Sequence, residues 1–566
     1  MHDLTFDYIV VGAGTAGCLL ANRLSRDPSK RVLLIEAGGK DDYHWVHIPV
    51  GYLYCIGNSR TDWLYQTEPA AGLNGRTLRY PRGKVLGGCS SINGMIYMRG
   101  QSRDYDQWAA LTGEDAWRWE NCLPDFKAHE DHYKLDSAQR NAGQRQGPNS
   151  PDFAALHGHG GEWRVEKQRL RWDVLDAFAA AAQQAGIPAT DDFNRGSNEG
   201  VGYFEVNQKA GWRWNAAKAF LRPACVRRPN FTLWTQAQVA RLLVERDAGG
   251  ALRCAGAEVW TGGAMTTAPL APGGELVLSA GSIGSPQILQ LSGIGPAALL
   301  RQHGIDVMAD LPGVGANLQD HLQIRSVYKI AGGKTLNQLA STLWGKGLIG
   351  LEYALRRSGP MSMAPSQLGA FTRSSPAFEW PNIEYHVQPL SLDAFGEPLH
   401  AFPAITASVC NLNPSSRGHV QIKSPRFEDA PAIAPNYLAT DDDRQVAADS
   451  LRVTRRIMAQ PAMAPFKPEE FKPGVQYQTD DELARLAGDI ASTIFHPVGT
   501  TKMGKDGDPL AVLTPRLQVR DGAGGVIAGL RVVDAGAMPT ITSGNTSSPT
   551  LMVAEKAARW ITKPVV

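Results

Sequence analysis

The chain begins with a short apolar run, "DYIVV", then the small residues "GAGTAG", then apolar positions at helical spacing in "CLLANRLS" and a second apolar run in "RVLLIEAGG". That order predicts a buried strand, a glycine turn, an amphipathic helix and a second strand, the start of a parallel βαβ unit. Far downstream, "ELVLSAGSIGSPQILQLSG" repeats strand, small-residue turn and helix and returns the chain to the first sheet, so the first domain is discontinuous. From about residue 320 to 490 the pattern changes to alternation, as in "GHVQIKSP" and "NIEYHVQPL", which predicts an antiparallel sheet with one solvated face. "VLDAFAAAAQQAG" reads as an alanine-rich helix ended by Gly186, residues 136–152 as a polar loop, and the segment from "LRVVDAG" to "AARWI" as a strand, a Ser/Thr/Asn loop and a helix. Residues 334–357 are amphipathic with basic residues at the end, either a helix covering the second domain or a lid or membrane-surface contact.

Length and composition narrow this picture. At 566 residues the chain exceeds one core, since single cores stop growing near about 250–300 residues. A hydrophobic share of 43%, a charged share of 20% and a net charge of +2 give no sign of nucleic acid or acidic surfaces as partners and favour a small molecule. The seven cysteines are scattered without a CxxC pair, so no disulfide framework and no metal site are expected, and a reducing cytoplasm fits. No basic region precedes the first apolar run and no run is long enough to span a bilayer, so the expected location is cytoplasmic, with peripheral contact to the inner membrane left open.

In "VVGAGTAG" the glycines Gly12, Gly14 and Gly17 form GxGxxG directly after a strand and at the opening of a helix. The first allows the tight turn, the second lets a pyrophosphate approach the backbone, and the third lets helix and strand pack closely. Glu36 closes the second strand, where a carboxylate accepts from a ribose hydroxyl. NAD and FAD both answer to this fingerprint. Its place near the start of a sheet completed hundreds of residues later favours FAD.

Two further segments, "GKVLGGCSSINGMIYMRG" (83–100) and "GSIGSPQILQLSGIG" (281–295), resemble the two signatures of the glucose–methanol–choline oxidoreductase family, the FAD-dependent alcohol oxidases and dehydrogenases. "DWLYQTEP", "LPGVGANLQDH", "SSRGHVQIKSP", "FHPVGTTKMG" and "GNTSSPTLMVAEK" extend the likeness over essentially the whole chain. It implies an α/β fold, α+β overall: a Rossmann-like FAD domain (1–160, 214–318 and 500–566) and a substrate domain of antiparallel sheet and helices (161–213 and 319–499). Along the cofactor it implies Gly12, Gly14, Thr15, Ala16 and Gly17 at the pyrophosphate, with Glu36 and Ala37 beyond. Gly87, Gly88, Ser91, Asn93, Gly94 and Met95 follow beside the ring system. Val239 meets the adenine, Asp534 and Ala535 the ribityl and pyrophosphate region, and Asn545 and Thr546 complete the set. Members that tether FAD covalently carry a histidine after the second serine of "GGCSS"; here that residue is Ile92, so the cofactor is expected to be noncovalent.

Alcohol oxidation needs a base for the hydroxyl proton and an acceptor for the hydride. His496 in "TIFHPVGTTKMG" aligns with the family's catalytic histidine and Asn545 with its partner. Read alone, His496 is a packed structural histidine more readily than a base. The resemblance makes it the proton acceptor, with the hydride going to flavin N5, and Phe495 a wall of the substrate pocket. A primary alcohol is the expected substrate, with electrons passed to a quinone or dye-type acceptor; dioxygen with peroxide formation, or other flavin chemistry on the same fold, are the alternatives. Choline is not favoured, because no cluster of carboxylates or aromatics suited to a quaternary ammonium stands out. The run "HEDH" (129–132) reads as solvated charge, His157 and His159 as turn residues, His321 as a structural turn, and Met361 and Met363 as either pocket or core. Oligomeric state stays open between monomer and dimer.

Overall fold

The computed structural model describes residues 5–136, 153–393 and 398–562; the loop expected over 136–152 lies, apart from Asp136, outside them. The predicted βαβ start is present as β1 (Phe6–Val11), α1 (Thr15–Leu24) and β2 (Val32–Ile35). β1 pairs in parallel with β2 and with residues 275–278 of the strand Ala264–Leu278. Phe231–Trp234 extends the sheet beyond β2, and Val526–Val532 extends it beyond Ala264–Leu278, both parallel. β2 is buried along its whole length, which is why it reads as one uninterrupted apolar run. The first half of Ala264–Leu278 instead joins Leu252–Thr261 and Ala237–Arg246 in an antiparallel meander. α1 packs on the helix Ser547–Thr562, where Arg23 pairs with Glu555 at 2.9 Å.

The second sheet is antiparallel, in the order Glu469–Lys472, Leu322–Lys329, Ala404–Asn411, Ile383–Gln388, Leu368–Thr372 and Gly200–Tyr203, with Ala491–Thr493 also on Leu322–Lys329. One face packs on the helices Asp173–Gln184, Asp441–Met458 and Asp480–Ile490 through Ile324, Tyr385, Val387 and Val409. The other face was expected to be solvated and is not. On Ile383–Gln388 the alternate residues Glu384, His386 and Gln388 are all buried, because this face closes over the cavity described below. "GHVQIKSP" also departs from expectation: His419–Gln421 pairs with Ala432–Ala434 in a separate two-stranded ribbon.

Two other expectations change. His129, Glu130 and His132 are buried rather than solvated, and neighbouring elements supply hydrogen-bond partners to Glu130 and His132. Arg99 reaches Glu130 at 2.7 Å, His157 bridges Glu130 (3.1 Å) and Asp192 (3.2 Å), and His132 meets Glu205 at 3.0 Å. Glu130, His132 and His157 converge closely enough to suggest a metal. Both ring nitrogens of each histidine are already engaged by protein groups, so the cluster is a closed charge network. The amphipathic stretch forms two helices: Leu336–Leu339 packs Leu336 and Leu339 on the core of the second sheet, whereas Leu343–Arg356 leaves most of its residues exposed.

Candidate active site

A continuous cavity runs between the two sheets, lined at one end by the glycine turn after β1 and at the other by His496 and Asn545. Gly12 turns with φ +98°, and a Cβ there would stand 2.5 Å from the Ser279 carbonyl oxygen. Gly17 does not line the cavity; a Cβ on it would meet Gly12 O at 1.8 Å, so its role is the close packing of α1 on the turn. Gly14, Thr15 and Ala16 bring the amino end of α1 to the wall, where unpaired N–H groups and the helix dipole attract an anion. Glu36 and Ala37 lie beside it, with Val239 from the antiparallel meander. Glu36 accepts from Ala13 N (2.9 Å) and Gly38 N (2.7 Å), and burial pushes its pKa up to about 7. Asp534, also on the wall with Ala535, accepts from Gly281 N (2.9 Å) and Ser285 Oγ (2.6 Å); burial raises its pKa.

Between the ends, the loop after Gly87 presents Gly88, Asn93, Gly94 and Met95 to the cavity. Gly87 and Ser91 stand behind it: Gly87 turns with φ +89°, and Ser91 Oγ donates to Leu86 O at 2.7 Å and accepts from Asn215 Nδ2 at 2.8 Å. Met95 takes φ +62°, held by Asn93 Oδ1 accepting from its N–H at 3.0 Å. The elongated shape fits FAD, with a carboxylate at the ribose position, a helix amino end at the pyrophosphate and small residues along the ring. So do Asn545 Oδ1 and Ser547 Oγ, buried polar atoms of wall residues that have no hydrogen-bond partner among the described residues.

His496 is held from several sides. Its N–H donates to Asp320 Oδ1 at 2.7 Å, and Asp320 Oδ2 accepts from Tyr80 (2.9 Å), Thr493 (2.7 Å) and Tyr437. Phe495 before it carries φ +70°, a strained conformation for a bulky residue, pinned by Arg82 donating to its carbonyl at 2.6 Å and by its N–H on Thr493 Oγ1 at 2.8 Å. The ring Nε2 stands 3.0 Å from Asn545 Nδ2 and Nδ1 stands 3.0 Å from His321 Nδ1. Burial, then His321, His386 and Arg82, hold the His496 pKa well below the ordinary imidazole value.

Residues not singled out from the sequence complete this end. Gln323, Ser366, His386 and Gln388 form a polar wall. The alternation in "NIEYHVQPL" does place His386 and Gln388 on one face, but nothing in it says that face is enclosed. Tyr52, Trp63 and Tyr65 also reach the cavity, so aromatic side chains that look dispersed along the chain meet in space. His321, expected as a structural turn, and its neighbour Asp320 are the supports of His496. Met363 is buried against Leu390 and Leu392, away from the cavity wall.

Comparison with known proteins agrees with this geometry. Two GMC oxidoreductase family models match residues 6–323 and 414–554. An alcohol dehydrogenase [acceptor] from Pseudomonas putida is 38% identical over 99% of this chain and 96% of its own length. An oxygen-dependent choline dehydrogenase from Photobacterium profundum is 39% identical over 98% of this chain and 93% of its own. Among solved structures, pyridoxine 4-oxidase from Mesorbium loti superposes with a TM-score of 0.85 at 31% identity, covering 98% of this chain and 99% of that one. Matched over both sheets and nearly from end to end, the chain belongs to the GMC oxidoreductase family, and FAD is its cofactor.

Proposed function

We propose that this chain oxidises a primary alcohol to the aldehyde, with His496 as proton acceptor and a quinone or dye-type molecule collecting the electrons. The observation that carries this reading is the 3.0 Å approach of Asn545 Nδ2 to His496 Nε2 on the wall of the cavity that also reaches the dinucleotide fingerprint. Gly14, Thr15, Glu36, Val239, Asn93 and Asp534 would hold FAD, noncovalently, since the Ile92 side chain has no atom able to form the tether. When bound, FAD supplies the acceptor for the hydride that leaves the α-carbon.

The chain's own residues do the rest. Asn545 donates an N–H to the alcohol oxygen and turns the hydroxyl hydrogen toward His496 Nε2. Because burial, with the Arg82 guanidinium nearby, keeps His496 uncharged, its lone pair is present at neutral pH. Gln323, Ser366, His386 and Gln388 offer hydrogen bonds to the rest of the substrate, which favours an alcohol with a second polar group over a plain alkanol. The division of work between a cofactor domain and a substrate domain, with the boundaries expected from sequence, belongs to the same proposal.

No helix among the described residues is long and apolar enough to cross a membrane; a cytoplasmic location with peripheral membrane contact, and a monomer or dimer, complete the reading. Dioxygen as acceptor is the second reading, favoured by the likeness to the pyridoxine oxidase. An anaerobic screen of primary alcohols, following loss of the oxidised flavin absorbance, tests the reaction. Peroxide formed in step with turnover in air would move the assignment to an oxidase, and dye reduction without peroxide supports the dehydrogenase.

A further inference from the structure

We propose that His321 is a positioning residue that selects the reactive tautomer of His496. This rests on the reading of His496 as proton acceptor. His321 Nε2 stands 3.0 Å from the Leu412 carbonyl oxygen, which can only accept, so Nε2 carries the hydrogen. In a neutral ring His321 Nδ1 is then bare and accepts. It faces His496 Nδ1 at 3.0 Å, so His496 Nδ1 must carry the hydrogen and donate. The lone pair of His496 is thereby fixed on Nε2, the nitrogen beside Asn545. One carbonyl of the second sheet, on the residue after Ala404–Asn411, sets the protonation pattern of two rings. The groups facing this pair are Asp320, Arg82, His386 and, behind His386, Glu384 at 3.0 Å. Both imidazoles are held below their ordinary pKa, His321 chiefly by burial, which keeps the relay neutral.

The test compares His321→Leu with His321→Gln in FAD-loaded protein. Glutamine retains an acceptor for His496 Nδ1–H and a donor for the Leu412 carbonyl; leucine retains neither. Alcohol-dependent flavin bleaching should fall about 10²-fold in the leucine variant, with its pH dependence altered, and the glutamine variant should recover most of the rate with the wild-type pH profile. Equal rates in both variants, each with full flavin content, would overturn the inference. If the leucine variant does not fold, nitrogen-15 spectra of histidine-labelled wild-type protein decide alone: a bare Nε2 on His496 supports the relay, and a protonated Nε2 sinks it. His496→Ala serves as the control. If that variant bleaches normally, the base assignment has failed; if it is inactive while His321→Leu is normal, only the relay has failed.

A separate observation carries a second inference: we infer that the helix Leu343–Arg356 lies on an anionic lipid surface. Leu343, Trp344, Leu348, Leu351 and Leu355 are 87, 77, 49, 54 and 74% exposed, and the last four follow the i, i+4, i+7, i+11 spacing of one helical stripe. Tyr353 is the helix's one buried residue among those described, tied to Gly211 O at 2.9 Å. Gly345, Gly347 and Gly350 weaken the helix in water, so burial of the stripe elsewhere would stabilise it. Lys334, Lys346 and Arg356 against the single acid Glu352 match a negative surface, while Arg357 stacks on Trp212 at 4.4 Å. The chain leaving the helix reaches the cavity within ten residues, at Pro365 and Ser366.

The holoenzyme should cosediment with vesicles of phosphatidylglycerol and phosphatidylcholine, less with phosphatidylcholine alone, and less at high salt. Changing Leu348, Leu351 and Leu355 together to serine should weaken binding by about 10-fold or more, while alcohol-dependent bleaching in solution stays unchanged. Absence of vesicle binding overturns the inference. So does a dimer in sedimentation velocity that the triple variant dissociates, which would assign the stripe to a second copy of the chain.

Discussion

Asp320→Asn probes how the fold serves the reactive ring. The Asp320 carboxylate accepts from the His496 N–H and from the hydroxyls of Tyr80, Thr493 and Tyr437, and it is buried. A hydrogen bond to a charged acceptor contributes about 1 kcal/mol more than one to a neutral acceptor, so four such bonds set an upper bound of about 4 kcal/mol. Relief of the buried charge offsets part of this, leaving a net loss of about 2–3 kcal/mol. The same bond fixes the backbone of His496, and a displacement of about 1 Å at a reacting group costs roughly 10²-fold in rate. Chemical denaturation followed by flavin fluorescence should therefore show the loss of stability, and stopped-flow bleaching with an excess of alcohol a rate lower by about 10- to 100-fold. A variant within about 0.5 kcal/mol of wild type, bleaching at the same rate, would refute the view that this carboxylate organises the site.

Three other outcomes follow from the same geometry. Gly88→Ala places a Cβ 2.7 Å from Gly14 Cα at a positive φ, and the protein should be purified with little flavin; normal flavin content would show that the loop and the glycine turn can separate. Asn545→Ala should slow bleaching less than loss of His496 does, because it removes orientation and leaves the base; equal losses at the two positions would point to a shared structural role. His157, paired with Glu130 and Asp192, has its pKa raised by those carboxylates against the pull of burial. Its contribution is therefore present below the unfolded value of about 6.5 and lost as pH rises through the higher folded value. Stability measured by denaturation should decline on the alkaline side, and His157→Gln should flatten that decline; an unchanged slope would remove His157 from its cause.

What the sequence made legible depended on range. β1, α1, β2 and the Glu36 position are encoded within a few dozen consecutive residues, where period, glycines and a carboxylate sit together. His496 and Asn545 were found by resemblance, since periodicity treats a buried histidine as packing. Asp320, His321 and the His386 wall were missed for another reason. Alternation says which residues share a face of Ile383–Gln388, but whether that face meets water depends on a sheet hundreds of residues away. The same limit applies to "HEDH": Glu130 and His132 are buried with partners, Arg99, His157 and Glu205, that arrive from distant segments. Exposure of the stripe on Leu343–Arg356 was likewise a question of what the rest of the chain leaves uncovered.

The central claim, that His496 takes the proton in an FAD-dependent alcohol oxidation, is tested most directly by one anaerobic comparison. Wild-type and His496→Ala proteins, both loaded with FAD, are mixed with the best primary alcohol from the screen and followed at the flavin absorbance. The wild type should bleach, and the variant should retain its flavin and bleach about 10²- to 10⁴-fold more slowly. A variant that bleaches as fast as wild type would contradict the account.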